Sequence, residues 1–183
     1  MLANDSATTA QRPRCDSRFL RAHPAHWVAL GFGAGLSPRM PGTIGTLWAW
    51  LAFAVMSPWL SEAGWGGVLV AALALGWWAC SRTAQHLGTI DPGAIVWDEV
   101  IAFWLVLWLL TPASWAEQLL AFALFRYFDA AKPGPVGWAD QVLHARALSG
   151  RPGAWWYAGA GILFDDLVAA FCTLLCLALW RLA

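Results

Sequence analysis

Apolar residues gather in five runs, separated by short segments rich in polar residues, glycine or proline. The runs cover Ile44 to Met56, Gly67 to Cys80, Ile95 to Leu110, Leu119 to Phe128 and Ile162 to Trp180. Ser57-Pro58 closes the first, Thr111-Pro112 closes the third, and no proline interrupts any of them. Apolar runs bounded in this way predict helices. The chain carries no internal repeat and no low-complexity stretch. The expected fold is all-α: a compact bundle of about five to six helices, membrane-embedded, with several short or re-entrant spans. A perpendicular span takes about 20 residues, with a floor near 17, and only the fifth run reaches that length.

Composition sharpens the membrane assignment. Of 183 residues, 60% are hydrophobic and 12% charged, against about 25% charged in a soluble domain. Fifteen tryptophans exceed what a small core needs, and tryptophan gathers where a bilayer meets water. A compact soluble helical domain is the competing class. The formal net charge is zero, which gives no footing to a nucleic-acid partner. The four cysteines form no C-x-x-C pair and read as small buried hydrophobes. Cys15 and Arg21 have the C-x5-R spacing of a cysteine phosphatase, but no glycine lies between them to cradle a phosphate.

Residues 1–26 read as a polar, Arg-rich cytoplasmic tail without a secretory signal, ending in a short interfacial segment. Residues 27–183 read as one membrane domain. If the helices alternate in direction, 37–46, 82–98 and 126–165 share a face with that tail. Ten of the eleven Lys and Arg residues then lie on one side, Arg181 being the exception. The positive-inside rule makes that side cytoplasmic, so residues near Met40, Thr89 and Gly150 are expected there.

Acidic residues near the apolar runs share that face. Asp98 and Glu99 open the third run in IVWDE, Asp129 ends the fourth, and Asp165 and Asp166 sit near the start of the fifth. A carboxylate at a bilayer needs a partner, and a cluster of them supplies the hard oxygen donors that Mg²⁺ takes. For the two pairs, helix N-terminal capping is an equal alternative. Asp129 has no such reading, because a helix C-terminus disfavours an anion. Arg126 and Lys132 flank it at three residues on either side. They read as a phosphate clamp or, equally, as headgroup contacts and local ion pairs. The stretch GFGAGLSPRMPGTIGT at 31–46 offers backbone N–H groups to a phosphate, although it lacks the P-loop pattern.

Taken in order, four blocks resemble the phosphatidylglycerophosphatase A family: GFGAGLSPRMPGTIGT at 31–46, IVWDEV at 95–100, FRYFDAAKPGPV at 125–136 and GILFDDLVAA at 161–170. Lesser matches lie at Thr83, Ala84 and Asp91 to Gly93. The resemblance implies an Mg²⁺-dependent, multi-pass enzyme of the bacterial inner membrane. Such an enzyme removes the terminal phosphate of phosphatidylglycerophosphate on the cytoplasmic side, and its partner is the phospholipid substrate. It implies catalytic and metal-binding roles for Asp98, Glu99, Asp129, Asp165 and Asp166. It also implies phosphate binding by Arg126, Lys132, Ser37, Gly42, Thr43 and Thr46. One region departs: 145–158 reads as a loop insertion after His144, with Trp155-Trp156-Tyr157 at headgroup level, and a lone histidine there reads as structural. A transporter using the acids as an ion path is the rival, with a membrane scaffold a second. A transporter would place its acids at mid-helix in two related halves, whereas here they fall at helix ends without a repeat.

Overall fold

A computed structural model describes residues 15–148 and 152–182 of the chain. Among them are eight α-helices: α1 (Ser17–Ala22), α2 (Pro24–Ala29), α3 (Pro41–Met56), α4 (Glu62–Leu87), α5 (Trp97–Leu110), α6 (Trp115–Ala131), α7 (Pro135–Ala147) and α8 (Ala154–Leu182). No strand occurs among the described residues, so the all-α expectation holds. α3, α4, α5, α6 and α8 match the five apolar runs; all but α5, which starts two residues inside its run, extend beyond them at one or both ends.

Local chemistry fixes these ends. Ser61 Oγ accepts from Gly64 N at 3.1 Å to open α4, and Gly88 closes it in the left-handed conformation (φ 64°). Ser114 and Glu117 form a reciprocal capping box at the start of α6. Pro41 occupies the first turn of α3, where its missing N–H costs nothing.

α5 is the axis of the bundle and packs on α3, α4, α6 and α8. Most of its residues are buried, including Val100, Ile101, Phe103 and Leu107. Two buried indoles on it find carbonyl partners: Trp97 Nε1 donates to Ala72 O of α4 at 3.1 Å and Trp104 Nε1 to Ala49 O of α3 at 2.9 Å. α8 crosses α4 closely because Gly159 sits on Ser81, with no room for a Cβ against the Ser81 backbone N at 2.7 Å.

Two helices, α4 and α8, are long and apolar enough to cross a membrane. Large apolar side chains remain exposed around the bundle, among them Leu51, Val70, Leu119, Phe171 and Leu175, as a lipid-facing surface requires. Arg181 lies at the end of the bundle away from the acidic residues. There it donates to Glu117 Oε1 through Nη2 at 2.7 Å and Nε at 3.0 Å, and to the carbonyls of Leu110 and Pro112.

The sequence reading differs from the structure in three places. Residues 17–29 are helical: Asp16 caps α1, and His26 Nε2 meets His86 Nδ1 of α4 at 2.8 Å. Residues 135–147 form a helix without an apolar run, held by packing on α8. Of the stretch read as a loop insertion, 145–147 close α7 and 154–158 open α8. Trp156 and Tyr157 are exposed there, and Trp77 of α4 donates to Trp156 O at 2.9 Å. Residues 1–14 of the tail, and Gly150, lie outside the described residues.

Candidate active site

The acidic residues converge at one end of the bundle, as two neighbouring clusters rather than one. Asp98 and Glu99 enter from the first turn of α5. The segment delivering them is clamped by glycines. Gly35 lies against Ala94 O too closely to tolerate a Cβ, a Cβ on Gly45 would meet Val96 Cβ at 2.7 Å, and Val96 N donates to Ala29 O at 2.9 Å. Most glycines of the 31–46 stretch therefore serve to seat residues 94–96. Gly42 differs: its Cβ position falls on Glu99 Oε1 and lies 3.0 and 3.1 Å from the two terminal nitrogens of Arg126.

Asp166 completes the first cluster. One carboxylate oxygen from each of Asp98, Glu99 and Asp166 lies within 4.8 Å of the others. Asp98 Oδ1, Glu99 Oε2 and Asp166 Oδ2 are buried without a hydrogen-bond partner. Asp129 borders this cluster from the last turn of α6, close enough for its charge to act on Glu99 and Asp166. Arg126 Nη1 binds Asp129 Oδ2 through a short hydrogen bond and reaches Glu99 Oε1 at 3.6 Å. One guanidinium thus pairs with two of the four carboxylates gathered here.

Asp165, next to Asp166 on α8, turns the other way. Lys132, the left-handed residue that closes α6 (φ 44°), bridges Asp165 Oδ2 at 2.6 Å and Asp140 Oδ1 at 2.5 Å. Asp140 also meets His144 Nδ1 at 3.3 Å, and ligand atoms of Asp91, Asp140 and His144 lie within 4.8 Å of one another. Burial disfavours the Lys132 ammonium, but its hydrogen bonds to Asp140 and Asp165 and their charges outweigh this and raise its pKa above the ordinary value. Burial likewise opposes ionisation of Asp140, yet the Lys132 hydrogen bond and charge, with His144, leave it below the usual carboxylate range. This cluster carries its own cation.

Asp165 and Asp166 lie well inside α8, since that helix begins at Ala154. This corrects the expected position near a helix start. It also removes the capping alternative for this pair, because an interior residue has no orphan N–H to satisfy. The physical reason is that Gly159 and Gly161 are held helical by close contact with Ser81 and His144. Among the expected phosphate-binding residues, Ser37 Oγ donates to Arg39 O and Thr46 Oγ1 donates to Gly42 O at 2.8 Å, so both hydroxyl protons are committed to backbone. Thr43 is half-buried beside Gly42 in the first turn of α3. Sequence reasoning gave Asp91 and Asp140 no role. The signal available was the four-residue spacing of Asp140 and His144 on one helical face.

Residues 27–181 match the family model described as Phosphatidylglycerophosphatase A. The chain belongs to the phosphatidylglycerophosphatase A family. A relative of that name from Escherichia coli (strain K12) is 36% identical over 153 residues, covering 84% of this chain and 81% of its own. Another, from Haemophilus influenzae, is 34% identical over 148 residues, covering 81% and 83%. A protein from Bacteroides thetaiotaomicron named putative phosphatidylinositol-3-phosphatase is 32% identical over 161 residues, covering 84% and 91%. No solved structure matches. The phosphatidylglycerophosphatase A match contains every acidic and cationic residue of both clusters, whereas α1 lies before it.

The first cluster has the composition of a divalent-cation site. Its donors are carboxylate oxygens, the type Mg²⁺ prefers. Three of these oxygens are buried and unpaired, a costly arrangement without a counter-charge. Arg126 alone cannot balance Asp98, Glu99, Asp129 and Asp166. The residues present fit the ion that the family resemblance implies.

Proposed function

We infer that the chain is a membrane phosphatase that hydrolyses the terminal phosphomonoester of phosphatidylglycerophosphate, giving phosphatidylglycerol and phosphate in bacterial phospholipid synthesis. The observation that carries the chemistry is the buried Asp98–Glu99–Asp166 cluster, whose unpaired oxygens stand beside Arg126. The family assignment supplies the substrate. The relative named as a phosphatidylinositol phosphatase points to the same chemical class, a phosphomonoester on a glycerophospholipid.

Asp98, Glu99 and Asp166 would hold Mg²⁺, with Asp129 at the margin. When bound, the ion neutralises phosphate charge and lowers the pKa of a coordinated water. Arg126 Nη2, which has no carboxylate partner, and the Lys132 ammonium face the phosphoryl oxygens as charge redistributes among them. Asp129 Oδ2 is engaged by Arg126, which leaves Oδ1 to take the proton of the attacking water. The water oxygen bonds to phosphorus, the bond from phosphorus to the glycerol oxygen breaks, and the leaving alkoxide takes up the proton held by Asp129. Asp165 and Asp140 fix Lys132 at its position. The cationic end of the bundle lies at the cytoplasmic face of the inner membrane, in keeping with the cation-poor opposite end at 57–66 and 111–115.

The test is phosphate release by the purified protein from phosphatidylglycerophosphate, phosphatidate and phosphatidylinositol 3-phosphate, with and without Mg²⁺. The expected result is Mg²⁺-dependent release, fastest from phosphatidylglycerophosphate. A protein equally active in excess chelator would overturn the metal assignment. A preference for another lipid would overturn the substrate.

A further inference from the structure

A lipid phosphatase must hold two unlike parts of one molecule, and the polar end of the bundle accounts only for the phosphate. α3 and α6 both lean on α5 and hardly touch each other. Trp50 spans the gap: its Nε1 donates to Gln118 Oε1 at 2.7 Å, and its ring stacks on Phe122 (centroids 5.8 Å) and lies 6.1 Å from Trp115. Phe103 of α5 supports both Trp50 and Phe122 from below. Above Trp50 the two helices leave an outward-opening groove of about 240 Å³, lined by Leu47, Trp50, Leu51, Ala54 and Trp115. Its walls are exposed: Leu47 by 43%, Leu51 by 65% and Trp115 by 71%.

The groove has a direction. Along α3 the same face continues from Ala54 and Leu47 up to Thr43, beside Gly42. Along α6 it continues from Trp115 through Phe122 to Arg126. Gly42 and Arg126 meet at the first acidic cluster. Trp115 on the wall of the groove and Arg126 therefore share one face of α6, about 16 Å apart along the helix. Another apolar groove, of about 500 Å³ between α4 and α8, includes Val70, Trp77 and Phe164. It lies on the side of α8 turned away from Asp165 and Asp166.

We propose that the groove between α3 and α6 seats an acyl chain of the lipid whose phosphomonoester reaches Arg126. This rests on the phosphatase reading above and specifies its substrate as one drawn sideways from the bilayer. The match is one of chemistry at both ends: an apolar groove for hydrocarbon, and a cation for phosphate further along the same face of α6. Trp50 forms the floor, and its hydrogen bond to Gln118 fixes the spacing of the walls.

The decisive variant is Ala54→Trp, which fills the groove from an exposed position, compared with Val70→Trp in the α4–α8 groove. Each is assayed for kcat/KM on oleoyl and hexanoyl phosphatidylglycerophosphate in mixed micelles. For Ala54→Trp the long-chain to short-chain ratio is expected to fall by at least about tenfold, mainly through KM. Val70→Trp is expected to keep the wild-type ratio. An unchanged ratio in folded Ala54→Trp overturns the proposal, as does an equal fall in Val70→Trp. A second measurement needs no turnover: a phosphatidylglycerophosphate analogue with a diazirine on its acyl chain, photolysed with the wild-type protein. Labelling of 47–54 and 115–122 should be suppressed by unlabelled substrate and weak with a matching phosphatidylcholine probe. Equal labelling by both probes overturns the proposal. So does conversion of an oligomer to a monomer by Ala54→Trp, which would make the groove a subunit interface. If the wild-type protein releases no phosphate from either chain length, the phosphatase reading fails, and the cross-link still decides the groove.

Discussion

Gly42→Ala separates the site from the fold. A Cβ at position 42 lands on Glu99 Oε1 and lies 3.0 and 3.1 Å from the Arg126 nitrogens. These are side-chain tips rather than backbone, so the protein yields by moving them. Glu99 Oε1 must retreat by about 1 Å to reach ordinary contact, and a misplacement of that size in a catalytic group costs on the order of 10²-fold in rate. Folding changes little: the gain of alanine over glycine, about 1 kcal/mol in a helix interior, is smaller at position 42 in the first turn of α3, and offsets the local crowding. Gly45→Ala is the contrast. Its Cβ would meet Val96 at Cβ (2.7 Å), Cγ2 (3.1 Å) and Cγ1 (3.3 Å). A buried β-branched side chain has no free rotamer to yield into, so residues 94–96 must shift, at about 1–3 kcal/mol. The assay is kcat/KM on phosphatidylglycerophosphate with thermal unfolding in the same detergent. The expected outcome is an about 100-fold activity loss at unchanged Tm for Gly42→Ala, and a lowered Tm for Gly45→Ala. Full activity in Gly42→Ala would refute the placement of Glu99 in the reaction centre.

Gly159→Ala drives a Cβ into Ser81 Oγ and its backbone N. It should lower Tm by forcing α4 and α8 apart, whereas Gly88→Ala, with open space but φ 64°, should lose only about 1 kcal/mol from backbone strain. The Lys132–Asp140 pair sets an acid limit. Asp140 has a depressed pKa, so its contribution is present above its unfolded value near 4 and fades as pH falls through the folded one. Lys132, raised, contributes fully below its unfolded value near 10.4 and loses that only as pH climbs through the folded value. Wild-type stability should therefore drop below about pH 4. A Lys132→Met variant, which leaves Asp165 without its cation and Asp140 with His144 alone, should shrink that step, as read by unfolding against pH.

The apolar runs made the five long helices legible, and the clash of Asp129 with its helix end singled out a residue that the structure places beside the first acidic cluster. What could not be read was depth and direction. Residues 154–158 read as part of a loop insertion, whereas they open α8, whose close crossing on Ser81 at Gly159 is a tertiary contact that no local propensity encodes. That misplaced Asp165 and Asp166 at a helix start. Their adjacency in sequence then hid the fact that neighbours on a helix point about 100° apart, one to each cluster. α7 carried no apolar run, so no helix was expected there and Asp140 was given no role. The glycines of 31–46 were correctly tied to the site, but most act through Ala94 and Val96 rather than on phosphate.

The central claim is that Asp98, Glu99 and Asp166 together hold one divalent cation. Its most direct test is Mn²⁺ binding, followed by electron paramagnetic resonance, to the purified wild-type protein and to Asp166→Asn, with Asp165→Asn as the neighbouring control. The account expects one Mg²⁺-competable ion in the wild type, affinity reduced at least about tenfold in Asp166→Asn, and near-normal binding in Asp165→Asn. Equal affinity in wild type and folded Asp166→Asn would contradict it.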